Sequence, residues 1–249
     1  MSTVNEGEIK DCIDKNVIVG HTTRRRDPKS LCNILMDVSD VDIIDPYIVT
    51  EKLNVACEKL KEIAASNGRI LFVCTKRIAS SYIKNVASEL SMPYVTERWF
   101  AGLITNFFVV KKMIKKNEEL NAIVNSAGYS FLSKKDQSIL RRSIEKKNVL
   151  LDGINRKLYR TPNAIVIVDI MKESIAVEEA SKTGVPIFGL VDTNVNFNKI
   201  TYPIPCNDDS LSSIRFVIER LKVAIMEGLE KFNSSKNSND AGSGKKDIA

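Results

Sequence analysis

Glycine is missing where a nucleotide-binding α/β protein needs it. Neither GxGxxG nor GxxxxGK[ST] occurs in the 249 residues. No loop can then lay a row of backbone N–H groups on a phosphate, which argues against an enzyme built on a dinucleotide or nucleoside triphosphate. Histidine occurs once, at His21. A Ser-His-Asp triad would have to use it, and no GxSxG elbow supplies the nucleophile. Zinc sites with two histidines fail by count. Those built on CxxC pairs fail by spacing, because the five cysteines stand at 12, 32, 57, 74 and 206. An odd number so dispersed reads as reduced thiols in a cytosol-like compartment. No apolar run approaches the roughly 18–20 residues of a membrane span. The amino-terminal MSTVNEGEIKDC has no apolar core for secretion, and its acids argue against a transit peptide.

What the chain does have is an uneven charge. Arg98–Arg160 carries fourteen Lys/Arg against five Asp/Glu, a net of +9, whereas the whole chain is only +6. Everything outside that stretch therefore sums to −3. Acids and bases usually balance on a plain solvated helix pair, so the excess points to a polyanion. The charged and apolar fractions, 27% and 43%, are those of an ordinary globular protein long enough to bury a sizeable core.

The basic stretch also interrupts a regular alternation. After an irregular first fifty residues, with a short helix over Glu6–Cys12 and strands at Asn33–Met36 and Val41–Ile44, apolar spacing predicts a helix over Thr50–Ser66. A buried strand at Arg69–Val73, a helix over Ile78–Leu90 and a short strand at Tyr94-Val95 follow. The pattern resumes with strand Ala164–Val168, helix Glu173–Lys182, strand Pro186–Val191, a short strand at Ile200–Ile204 and a long helix over Asp208–Gly228. Alternating strands and helices imply an α/β domain with a parallel sheet, right-handed crossovers and helices on both faces. Between them lie two helices, Thr105–Val124 and one running from Ser133 to about Leu151, joined by the turn Asn125–Gly128. They should pack as an antiparallel hairpin. Residues 1–104 and 155–232 thus form a discontinuous α/β domain, 105–154 a helical hairpin insertion, and 233–249 a disordered tail without core-forming residues. The arm should hinge at Arg98–Asn106 and Asp152–Pro162.

Two sets of residues could carry function. Arg24, Arg25, Arg26 and Lys29 lie in one loop; Lys111, Lys112, Lys115 and Lys116 cluster on the first hairpin helix; Arg141, Arg142, Lys146 and Lys147 lie on its partner. Such cations neutralise phosphates with little sequence preference, and Arg98-Trp99-Phe100 adds guanidinium and aromatic planes that suit irregular RNA. The second set is His21 with Asp192, Asp208 and Asp209, which could converge at the carboxyl edge of the sheet as a divalent-metal site of an enzyme. The competing reading makes Asp208 or Asp209 a helix cap and Asp192 an Asx turn. A third possibility is an adaptor that offers the hairpin to an acidic protein.

The residues also match a family. Arg98–Phe107, RWFAGLITNF, resembles the RWLGGxLTNF signature of the second protein of the small ribosomal subunit. Gly20–Lys29, Ile70–Lys76, Pro162–Asp169, Glu173–Ala180, Gly189–Asn194 and Ile204–Asp209 are similar to further motifs of that family, in the same order, and Arg215 falls in its SIR motif. The long hairpin resembles the bacterial or organellar branch. The resemblance implies a flavodoxin-like parallel sheet with a protruding coiled-coil hairpin and a structural, non-catalytic role in translation. It also implies binding to small-subunit rRNA, with neighbouring small-subunit proteins and, in bacteria, the large mRNA-binding protein as partners. Arg24, Arg25, Lys29, Arg98 and Asn106 would anchor near the body, with the hairpin cations clamping phosphates further out. Arg26 stands where the family usually has Trp, so a phosphate contact would be gained there; Ala101 and Cys74 replace family glycines.

Overall fold

The computed structural model describes residues 6–126, 129, 131, 133–154, 158 and 160–243. Its centre is a five-stranded parallel sheet of β4 (Ile70–Val73), β5 (Tyr94–Val95), β6 (Ala164–Ile167), β7 (Ile187–Val191) and β8 (Tyr202–Pro205), in the order β5-β4-β6-β7-β8. That is the doubly wound order of flavodoxin-like sheets. Ile70 lies beside Ala164, Ile165 beside Ile187, and Phe188 beside Tyr202.

Side chains alternate across the sheet, and this divides the core in two. Ile70, Phe72, Ala164, Val166, Phe188 and Ile204 face α2 (Pro46–Ala65), α3 (Arg77–Glu89) and α7 (Leu211–Ser243). Leu71, Val73, Ile165, Ile167 and Ile187 face α6 (Ser174–Thr183), the segment around Trp99–Ile104, and the side chains of Ile154 and Leu158. Every residue of β4, β6 and β7 is buried, as continuous apolar strands under helices on both faces must be.

The first fifty residues are less irregular than their composition suggests. α1 (Glu6–Asp14) precedes an antiparallel ribbon of β1 (Val19–Thr22), β2 (Ile34–Val38) and β3 (Val41–Ile44), ordered β1-β3-β2. Ser39 and Asp40, with φ of 51° and 63°, make the two-residue turn between β2 and β3; both central residues left-handed is the tight-hairpin geometry usually signalled by Asn-Gly. Asp45-Pro46 ends β3 and also starts α2 early. Asp45 accepts from the Tyr47 N–H, and Pro46 sits in the first turn, where its missing N–H costs nothing.

α4 (Phe107–Val124) and α5 (Lys134–Leu151) form the insertion. Asn117 on α4 donates to Asn148 on α5, and Tyr129 donates to Gln137. The paired numbers run in opposite senses, so the two segments are antiparallel. Ser133 caps α5 by accepting from the Asp136 N–H, and its hydroxyl donates to the Asp136 carboxylate. Within the expected turn Asn125–Gly128, residues 127 and 128 lie outside the described set. At the other end of the chain α7 continues to Ser243 instead of stopping near Gly228. No proline interrupts it, and Gly242 is the first glycine after 228. The tail therefore departs from the expectation at 233–243, while 244–249 lie outside the described residues.

Candidate nucleic-acid interface

The arm is fixed to the body by one buried carboxylate. Glu179 on α6 is 6% exposed. Its Oε1 accepts from Trp99 Nε1 at 3.1 Å and from the Gly102 N–H at 2.7 Å; its Oε2 accepts from the Ile104 N–H at 3.1 Å, the Thr105 N–H at 3.3 Å and the Thr105 hydroxyl at 3.2 Å. Gly102 adopts φ of 91°, which lets the loop fold its donors around that one group. Burial pushes the Glu179 carboxyl up, but the hydrogen bonds from Gly102, Trp99, Ile104 and Thr105 outweigh it and hold the group below its ordinary value. The entry to the arm is thus a clamp where a hinge was expected. The return is pinned at Gly153: its C=O accepts from the Tyr94 N–H at 3.1 Å, and a Cβ there would lie 2.0 Å from the Tyr94 oxygen. Asp152 accepts from the Tyr94 hydroxyl at 2.8 Å and pairs with Lys84. Residues 155–157 and 159 of the second expected hinge are outside the described set.

This clamp corrects one expected RNA contact. Trp99 is 7% exposed and its indole N–H is committed to Glu179, so it packs in the core and offers no open face for a base. Arg98 beside it is exposed, as is Asn106 at the start of α4.

The arm buries a few apolar residues between its helices and leaves its cations outward, beside exposed Phe108, Val109, Ile139 and Val149. Val110 and Ile144 are buried, while Lys111, Lys112, Lys115, Lys116, Arg141, Arg142 and Lys146 are exposed. Among the described residues none of these seven cations has a carboxylate partner within ion-pair distance. Lys111 lies over the Phe107 ring and Lys112 over Phe108, at 5.4 and 4.4 Å from the centroids, which holds their stems against the helix. Some body cations are spent on carboxylates: Lys61 pairs with Glu227, Lys84 with Asp152, Lys222 with Glu89 and Arg220 with Glu8.

The second basic group is the loop after β1. Arg24, Arg25 and Lys29 are exposed and unpaired among the described residues. Arg26 is not part of this group, contrary to the expectation that it would hold a phosphate. Its guanidinium forks onto Asp42, which is fully buried on β3, with Nε 3.0 Å from both carboxylate oxygens. Bidentate pairing of a buried carboxylate leaves that guanidinium little to offer a phosphate.

The carboxyl edge of the sheet gathers the remaining candidates. His21 Nδ1 lies 3.1 Å from Asp192 Oδ2 and Nε2 lies 3.3 Å from Asp209 Oδ2. The hydrogen bond to Asp192 is the main reason the imidazole's pKa is raised. Asp192 also accepts from the Asp208 N–H. The four proposed ligands thus lie along one run of contacts, but the cation that holds Asp208 and Asp209 is the Lys76 ammonium. It lies 2.6 Å from Asp209, 2.9 Å from Asp208 and 3.7 Å from Asp169. Burial pulls Lys76 down, yet its hydrogen bonds to Asp209 and Asp208 carry it above the ordinary lysine range. Asp208 is pushed up to about 6 by burial, with Lys76 opposing. Among the described residues no group of three or more His, Cys, Asp or Glu is disposed to hold a metal, which corrects the metal reading. The cap reading is corrected too. Asn207 accepts from the Asp209 and Ser210 N–H groups ahead of α7, leaving both aspartates to Lys76. An edge lined by Asp169, Asp192, Asp208 and Asp209 repels the phosphates that such edges bind in other doubly wound folds.

A family model described as ribosomal protein S2 matches residues 12–228. The chain is 40% identical to small ribosomal subunit protein uS2 of Amoebophilus asiaticus over 91% of its own length and 72% of the relative's. The chain belongs to the ribosomal protein S2 family. It is likewise 38% identical to small ribosomal subunit protein uS2 of Cytophaga hutchinsonii, over 92% of this chain and 90% of that one, and 40% identical to that of Bifidobacterium animalis subsp. lactis, over 89% and 74%.

In this S2-family chain the matching motifs do different work. Glu179, in the Glu173–Ala180 motif, reaches back to Trp99 and Thr105 in the RWFAGLITNF motif, so two stretches far apart in sequence form one joint. Sequence reasoning missed Glu179, Lys76 and Asp42. The available signal was an acid at core spacing three residues after Ala176, a lysine just beyond a buried strand, and an acid inside an apolar strand. Each places a charge at a position that has to be buried, and so demands a partner.

Proposed function

We propose that this chain is a structural constituent of the small ribosomal subunit, non-enzymatic, that binds rRNA through two unpaired basic surfaces. The body, residues 1–104 with 155–232, presents Arg24, Arg25, Lys29 and Arg98, with Asn106 next to it at the foot of the arm. The arm, 105–154, presents Lys111, Lys112, Lys115, Arg141, Arg142 and Lys146. Trp99 and Arg26 serve these surfaces from behind, as core and as an ion pair. The observation that carries the reading is the division of cations. Several on the body are spent on carboxylates, among them Arg26, Lys61, Arg220 and Lys222, whereas the exposed ones named on the arm and the loop have no carboxylate partner among the described residues. Unpaired cations on a rigid support are what counterion release from a phosphate chain rewards. The names of the relatives supply the context of a small subunit. Neighbouring small-subunit proteins, with the large mRNA-binding protein among them in bacteria, are the protein partners that the family resemblance suggests.

The test is incorporation. Exchanging Lys111, Lys112, Arg141 and Arg142 for Glu should abolish co-sedimentation with reconstituted small subunits while leaving the far-ultraviolet circular dichroism unchanged. Normal incorporation of a folded variant would sink the arm's part in the proposal.

A further inference from the structure

The tip of the arm carries a cleft of about 350 Å³ lined by Tyr129, Lys134, Gln137, Ser138, Arg141, Arg142 and Glu145. Lys134, Ser138, Arg141 or Arg142, and Glu145 follow one another at helical spacing, so α5 presents them as one stripe. Tyr129 closes the cleft from the connection. Its hydroxyl donates to the Gln137 C=O at 3.2 Å, and Gln137 Nε2 donates to the Tyr129 C=O at 3.0 Å, a reciprocal pair that holds the ring across the start of α5. The Tyr129 ring is only 9% exposed, and Arg141 Cζ lies 5.4 Å from its centroid. The tyrosine thus fixes the guanidinium as a platform.

We infer that this cleft is a binding site for a single nucleotide of a looped or bulged RNA segment. The inference rests on the rRNA-binding reading above and names one place where that binding becomes structure-selective. The charges argue for the ligand. Lys134, Arg141 and Arg142 suit a phosphate, and the volume lies within the range of small-ligand pockets. Glu145 in the same lining disfavours a bare anion; a carboxylate beside three cations fits a ligand that brings a phosphate together with hydrogen-bond donors, as a nucleotide does through its 2′-hydroxyl or base edge. Ser138 adds a hydroxyl that both donates and accepts. The held guanidinium of Arg141 offers a planar face on which an unstacked base can lie. An A-form duplex keeps its base faces stacked, so only an unpaired segment supplies a base that can lie on the Arg141 plane.

The experiment uses the full chain reconstituted into small subunits with rRNA carrying 4-thiouridine. On irradiation, a uridine cross-link is expected within the peptide spanning 129–142. The double variant Lys134→Ala with Arg142→Ala should lose that cross-link, bind rRNA roughly three- to tenfold more weakly, and show a salt dependence shallower by the equivalent of about one to two phosphates. Circular dichroism reports whether the variant folds; if it does not, the cross-link in the unmodified chain decides. No cross-link within 129–142, together with wild-type affinity of the double variant, overturns the cleft while leaving salt-sensitive rRNA binding intact. A cross-link from this peptide only to a neighbouring protein also overturns it. An unmodified chain that binds no rRNA overturns this inference and the broader reading together.

Discussion

Replacing Glu179 by Gln should loosen the arm from the body without changing the size of any side chain. In the native joint one carboxylate oxygen accepts from Trp99 Nε1 and the Gly102 N–H, and the other from the Ile104 N–H, the Thr105 N–H and the Thr105 hydroxyl. Glutamine keeps one acceptor and turns two new N–H donors towards the other group of donors. The less costly orientation puts the amide on the Thr105 side, because Thr105 is exposed and its hydroxyl can rotate to accept. The Ile104 N–H is then orphaned, the Thr105 N–H is left to water, and the bonds that remain lose their charged acceptor. At about 1–3 kcal/mol for a buried orphaned donor, with smaller losses for the others, the change should cost about 2–4 kcal/mol. For a chain of this size that lowers Tm by roughly 5–15 °C. Thermal unfolding measures the total, and amide exchange at Gly102, Ile104 and Thr105 locates it. The pH dependence follows from the depressed carboxyl. Its stabilisation is fully present above the ordinary value of 4.5 and is lost as pH falls through the lower folded-state value. The gap between native chain and variant should therefore be constant from pH 7 to 5 and close below about 4.5. A Gln variant with native Tm and unchanged exchange at these amides would refute the clamp.

Arg26 and Arg24 should separate stability from binding. Arg26→Ala leaves the buried Asp42 carboxylate unpaired and should lower the midpoint of chemical denaturation, with rRNA affinity per folded molecule little changed. Arg24→Ala should do the reverse, weakening binding with stability within about 0.5 kcal/mol of native. Gly153→Ala sets a methyl against the Tyr94 oxygen and should destabilise the chain by more than about 1 kcal/mol, seen as faster amide exchange at Tyr94. Lys76→Met removes the cation among Asp169, Asp208 and Asp209 and should destabilise the chain at pH 7.5 more than at pH 5, because Asp208, already pushed up to about 6 by burial, takes up a proton in that range and no longer needs a cation. Equal losses at both pH values would show that these carboxylates do not depend on Lys76.

The parallel sheet was legible because its strands are continuous apolar runs and its helices keep a three-four spacing, signals that local sequence carries in full. The ribbon before it was only half legible. β1 contains Gly20 and His21 and has no alternation, and the β2–β3 turn uses Ser39-Asp40 in place of a recognisable turn pair. The basic arm could be seen from charge alone. The sorting of its neighbours could not, since nothing local distinguishes Arg26 from Arg24 and Arg25. The difference lies in Asp42 across the ribbon, a partner supplied by strand register. Trp99 was misread for the same reason: its partner Glu179 lies eighty residues away in sequence. Topology brings His21, Asp192 and Asp209 to one edge, but Lys76, which holds Asp208 and Asp209, belongs to a different strand end.

The central claim is that unpaired cations on the arm and the loop hold a phosphate chain. Its most direct test is the slope of log affinity against log salt for rRNA binding, measured for the native chain and for the variant with Lys111, Lys112, Arg141 and Arg142 all exchanged for Ala. A steep negative slope is expected for the native chain, made shallower in the variant by about 0.7–0.9 for each phosphate that is no longer neutralised. A native affinity indifferent to salt, or a variant whose slope equals the native one, would contradict it.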